Sequence, residues 1–166
     1  MILPKAELLR RNAVSGMLSD IQLQPAGIDL TLREIHRFTS TGKIDHDNKE
    51  RELPSYSRID FGSGGWLHID AGAYKVTYNE IVKIPSDCIA LGFPRSTLLR
   101  CGATLECAVW DPGYEGRSES LLVVSNPNGI TLKRDARLMQ LIFAKLTRKA
   151  RETYSGKYHK ENVTPG

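Results

Sequence analysis

Long apolar runs are missing from this chain. No stretch approaches the roughly 18 apolar residues that a membrane-crossing helix needs, so no membrane partner is expected. The opening MILPKAELLRR has no extended apolar segment followed by a small-residue cleavage site, which argues against a secretory signal. Cysteine is scarce. Cys88, Cys101 and Cys107 are odd in number and include no CxxC pair, a usage that fits free thiols in a reducing cytoplasm. His36, His46, His68 and His159 are too scattered to propose a zinc site with them. Neither GxxxxGK[ST] nor a GxGxxG between strand and helix occurs, which removes the common nucleotide-fold phosphate loops. No Ser-His-acid pattern supports serine hydrolase chemistry, and no internal repeat is visible.

What remains is an ordinary globular composition. The 166 residues are 40% hydrophobic and 25% charged, enough for one domain that buries roughly two-thirds of its unfolded surface. The net charge is +4, and from Ala144 onward six Lys/Arg stand against two acids, so the excess gathers in the tail. That tail lacks the repeated aromatic and basic pattern of a strand-binding platform, and no nucleic-acid partner is expected.

PKAELLRRN begins with a proline where a helix tolerates a missing N–H, and predicts a short helix. IQLQPAGIDLTLREIHRF alternates on both sides of Pro25-Ala26-Gly27 and predicts strand, turn, strand. TSTGKIDHDNKERELPSYSR follows as an exposed loop. WLHI, YKVTY, EIVKI, CIALGF, TLECAVW, SESLLVVSN, GITL and RLMQLIFAKL are short, β-rich and bounded by Gly, Asn or Pro. This spacing predicts an all-β antiparallel sandwich or barrel-like roll with only short helices. STLLRC is the exception, with Ser96 as a hydroxyl cap and Gly102 as the stop of one or two helical turns.

AVWDPGYEG, Ala108 to Gly116, poses the functional question. An aspartate before Pro-Gly reads either as a turn cap, its carboxylate accepting a nearby backbone N–H, or as a group that positions a reactive water.

Four stretches in fixed order carry a resemblance: PAGIDL at 25–30, PRSTLLR at 94–100, VWDPGYEG at 109–116 and RLMQL at 137–141. Together they resemble the family uniting trimeric dUTP diphosphatases with dCTP deaminases, and within it the archaeal dUTPase-like members. The resemblance spans about residues 20 to 160. It implies a distorted jelly-roll-like β-barrel of the dUTPase-like, β-clip kind over 1–150. A basic tail over 151–166 would act as a lid. It further implies a homotrimer with intersubunit sites, a deoxynucleoside triphosphate substrate, and Mg2+ held mainly by the substrate's phosphates with Asp29 acting through water.

By the same resemblance Asp111 orients the hydrolytic water and Tyr114 packs on deoxyribose. Arg95, Ser96 and Thr97 clasp phosphates, and Arg100 matches an arginine of the deaminase branch and its archaeal relatives. Arg137 and Gln140 support the triphosphate and subunit contacts, and Lys157 is a phosphate contact from the tail. Such residues suit the chemistry. Arginine gives paired donors to phosphate, and an aspartate held in a rigid turn can position a water and accept its proton.

The deaminases carry a glutamate ten residues beyond the aspartate matched by Asp111; here that position is Leu121, which cannot move a proton. The principal expectation is hydrolysis of dUTP to dUMP and pyrophosphate. Glu119, two residues earlier on the same strand face, would serve deamination only through a bulge or a shifted alignment. The alternatives are therefore dCTP deamination, alone or coupled to hydrolysis, and a non-catalytic nucleotide-binding protein. The tail resembles the KY-x-x-Q arrangement of deaminase-like members, with Glu161 in place of Gln, where a carboxylate would repel phosphate.

Overall fold

Alternation of apolar and polar residues over short segments makes strands, and strands dominate the chain. The computed structural model describes residues 1–163; the final residues of the expected basic tail, 164–166, lie outside the described residues. Strands β1 (Val14–Ser15), β2 (Leu23–Gln24), β3 (Gly27–Phe38), β4 (Tyr56–Ile59), β5 (Trp66–Ile69), β6 (Gly72–Tyr78) and β7 (Ile81–Lys83) come first. They are followed by β8 (Cys88–Pro94), β9 (Ala103–Glu106), β10 (Glu115–Gly116), β11 (Glu119–Val124), β12 (Ile130–Lys133) and β13 (Arg137–Lys145). Helices α1 (Lys5–Arg10) and α2 (Ser96–Arg100) are short.

The main sheet runs β8-β13-β3-β6-β11-β9, with β2 and β4 also paired to β3. Two small sheets, β1-β7-β10 and β12-β5, complete the walls. Strand β3 makes the sheet curl. Its first half pairs with β13 and its second half with β6 and β4, and the register shifts between Leu32 and Glu34. A bulge there increases twist and bends the strand, as an open sheet requires to close. Closure comes from Trp110, just beyond β9, which exchanges backbone bonds with Ala90 on β8. The two ends of the six-strand path thus meet in a distorted barrel. Leu30, Leu32, Ile35, Val76, Tyr78 and Leu122 are fully buried inside it.

Some local expectations change. Ile21 does not begin a strand. Asp20–Gln22 is a 3-10 turn fixed by a capping box between Ser19 and Gln22, and Ile21 is exposed. The long polar excursion is loop only in part, since Tyr56–Ile59 adds to β3. Helix α2 forms, but its N-cap is Arg95 with no side-chain cap bond, so Ser96 is the first helical residue and not the cap. Gly102 does end it, at φ +77, with its N–H donating to the Leu99 carbonyl.

Candidate active site

The turn at Asp111 is built from its backbone. Tyr114 N–H donates to the Asp111 carbonyl at 3.1 Å, and Gly113 sits at φ +85, where only glycine is at ease. Gly113 N–H donates to the Ile84 carbonyl, and Tyr154 N–H of the tail donates to the Pro112 carbonyl at 2.7 Å. The Asp111 side chain is exposed and faces a cavity of about 560 Å³. Among the described residues its carboxylate makes no hydrogen bond, so it does not cap the turn.

Tyr114 and Leu121 line the same cavity. Tyr114 is buried, and its hydroxyl donates to Glu161 Oε1 at 2.7 Å with Ser118 Oγ 3.3 Å away. Burial holds the phenol well above its usual range. Burial likewise pushes the Glu161 carboxyl up, against the lowering influence of the Tyr114 hydroxyl. The Tyr154 ring meets Tyr114 edge-on, 5.7 Å between centroids, so the tail packs directly over the cavity. Ser118 Oγ also accepts the Trp110 indole N–H at 2.6 Å, which fixes the wall beside the turn.

Strand β11 alternates in burial, with Ser120, Leu122 and Val124 buried and Glu119 and Leu121 half-buried; Glu119, Ser120 and Leu121 line the cavity. Its pairing with β6 runs without a shift from Glu119 opposite Thr77 to Val124 opposite Gly72. The bulge that would carry Glu119 into the place of Leu121 is therefore absent. Glu119 Oε1 instead accepts from Lys75 Nζ at 2.7 Å and from Asn162 Nδ2 at 3.2 Å. Lys75 lies directly across from Leu121 and its ammonium sits over the Tyr56 ring, 3.6 Å from the centroid. Lys75 and Tyr56 were not among the residues singled out by motif. The only hint is a lone lysine between aromatic and β-branched residues in YKVTY.

The expected phosphate residues gather elsewhere. Asp29 Oδ2 accepts from Arg137 Nη1 at 3.2 Å and Gln24 Nε2 at 3.2 Å, and forms an ion pair with Arg95 Nε at 3.0 Å. Asp29 is 1% exposed, and burial raises its carboxyl despite the two guanidiniums. Its Oδ1 is buried with no partner among the described residues. Gln140 stands opposite Asp29 in the β3–β13 pairing. Ser96, Thr97 and Arg100 are exposed on α2. None of these residues lines the Asp111 cavity, and neither does exposed Lys157. The Asp29 cluster and the Asp111 cavity therefore share no lining residue. Close packing explains the glycine of PAGIDL, since a Cβ on Gly27 would meet the Leu141 carbonyl at 2.5 Å and the Gln140 side chain at 3.2 Å.

The family model described as dCTP deaminase-like matches residues 2–146. The probable deoxyuridine 5'-triphosphate nucleotidohydrolase of Methanococcoides burtonii is 54% identical over 144 residues, covering 87% of this chain and 85% of its own. That of Methanosarcina mazei is 52% identical over 155 residues, covering 93% and 89%. Among solved structures, the 2'-deoxycytidine 5'-triphosphate deaminase of Agrobacterium tumefaciens superposes with a TM-score of 0.64 at 20% identity, over 86% of this chain and 47% of that one, a likeness of fold.

Proposed function

The chain belongs to the dCTP deaminase-like family, and from that premise we propose that it hydrolyses dUTP to dUMP and pyrophosphate, with Asp111 activating the water. One observation carries the reading. The cavity that holds an uncommitted Asp111 carboxylate has Leu121, not an acid, at the place where the deaminases carry their glutamate. Asp111 positions the water and takes its proton as the oxygen attacks the α-phosphorus, and pyrophosphate leaves. Tyr114 supports the sugar from the cavity wall. Arg95, Ser96, Thr97 and Arg100 hold phosphates, with Asp29 keeping the Arg95 and Arg137 guanidiniums in place and Gln140 bracing the same strand pair.

Among the described residues no cluster of three or more His, Cys, Asp or Glu could hold a metal. The orphan Oδ1 of Asp29 is still an acceptor that a metal-bound water would satisfy. These residues fit Mg2+ held mainly by the substrate's phosphates, where it would neutralise phosphoryl charge. The phosphate residues do not line the Asp111 cavity, which supports a homotrimer in which a second copy brings them to it. The barrel over 1–150 is read as one domain and the tail from 151 as its lid, with Lys157 turning to phosphate on closure. Free Cys88, Cys101 and Cys107 agree with a cytoplasmic setting. No helix among the described residues is long and apolar enough to cross a membrane.

The test is a product assay. Wild-type protein with dUTP and Mg2+ should release dUMP and pyrophosphate, and dCTP should be recovered intact. Asp111→Asn should slow release by roughly 100- to 10,000-fold without lowering the melting temperature. Full activity in that variant removes the assigned base.

A further inference from the structure

The geometry points to the Lys75–Glu119 ion pair as the element that reads the pyrimidine, the ammonium donating to the 4-oxo oxygen of uracil and the carboxylate accepting from N3–H. This rests on the dUTP reading above. Both side chains line the Asp111 cavity, and Lys75 stands directly across from Leu121. Lys75 is 9% exposed, and one of its N–H groups is spent on Glu119 Oε1. The Tyr56 ring holds the ammonium from one side, which leaves donor capacity facing the cavity. Both bonds to Glu119 fall on Oε1, so Oε2 remains an open acceptor.

Charge decides what approaches this pair. Glu161 lines the same cavity, and Asn162 beside it donates to Glu119. A phosphate brought to Lys75 would meet two carboxylates, whereas the neutral edge of a base meets a donor next to an acceptor. Arg95 and Arg137, the cations suited to phosphate, lie outside this cavity. Uracil presents an acceptor at O4 beside a donor at N3. Cytosine seated in the same way would turn its amino group to the ammonium and its N3 lone pair to the carboxylate, so both contacts fail together. A site built to hydrogen-bond one pattern rejects the other because its own buried groups go unpaired. The Lys75 partnership also withholds Glu119 from deaminase work.

The experiment measures kcat/KM for dUTP and dCTP, and Kd for dUMP, dCMP and pyrophosphate, in wild type, Lys75→Met, Lys75→Arg and Glu119→Gln. Loss of a charge-assisted hydrogen bond should lower dUMP affinity roughly 10- to 100-fold in Lys75→Met. The dUMP:dCMP preference should shrink in both Lys75→Met and Glu119→Gln, pyrophosphate affinity should stay unchanged, and Lys75→Arg should recover part of the preference. An unaltered preference in folded Lys75→Met and Glu119→Gln overturns the inference, as does an equal loss of pyrophosphate affinity. If Lys75→Met fails to fold, Glu119→Gln and Lys75→Arg decide by the same preference. Absence of wild-type turnover on dUTP defeats the hydrolase reading alone, and the monophosphate affinities still judge the pair.

Discussion

Three carboxylates show how one chemical group takes three tasks from its surroundings. Asp111 is exposed to a cavity and its carboxylate makes no hydrogen bond among the described residues. Asp29 is sealed between two guanidiniums. Glu80 is fully buried and faces neutral donors only, accepting from Thr31 N–H at 2.9 Å, Thr31 Oγ1 at 2.6 Å and Gln22 Nε2 at 2.6 Å. Burial therefore raises the Glu80 carboxyl above its usual range. A raised native pKa means that the folded state holds this proton more tightly than the unfolded state does. Its contribution is complete below the unfolded pKa and is lost as pH rises through the folded one. Urea midpoints from about pH 4 to about pH 8 should show the advantage of wild type over Glu80→Gln shrinking as pH rises. A gap independent of pH would contradict the shift. Of these three, Asp111 and Asp29 stand in motifs, whereas Glu80 stands in none. Glu80 follows the aromatic strand in YNEIVKI and carries no mark of its partner Thr31, 49 residues away.

At the scale of elements, alternation made β6, β8, β11 and β13 legible, and Gly102 marked the end of α2. What alternation could not reveal was which distant strands would share a cavity. Lys75 reaches Glu119 because β6 pairs with β11, and Tyr56 reaches Lys75 because β3 lies between β4 and β6. The turn at 111–114 is the element on which the site depends most, since it touches Ile84 on one side and the tail on the other. A Cβ on Gly113 would fall 2.6 Å from Thr153 Cβ, at a φ of +85 that L residues resist. Gly113→Ala should cost about 1–2 kcal/mol from the backbone alone, lowering Tm by roughly 2–8 °C. It should also loosen the tail, read as faster proteolysis between residues 151 and 163. An unchanged melt would mean that the turn relaxes into a form the alanine accepts.

For the whole molecule, the barrel closes through Ala90 and Trp110, whose indole lines the Asp111 cavity, while the Arg95–Asp29–Arg137 cluster does not line it. The four motifs mark residues of the cavity and of the cluster, yet sequence order does not say whether, as proposed, two chains bring them together. Complementation answers it. Asp111→Asn and Arg95→Ala proteins, each inactive, should regain about a quarter of wild-type activity when equal amounts are unfolded and reassembled together, because that share of random interfaces pairs two intact halves. No recovery would place both halves in one chain.

The same closure leaves the protein with a built-in optical reporter. Of its two tryptophans, Trp66 is 53% exposed and beneath Lys133, whereas Trp110 is 5% exposed, lines the Asp111 cavity and is anchored through its indole N–H to Ser118. On the proposed function, intrinsic fluorescence from Trp110 should change as a nucleotide enters, without any attached dye.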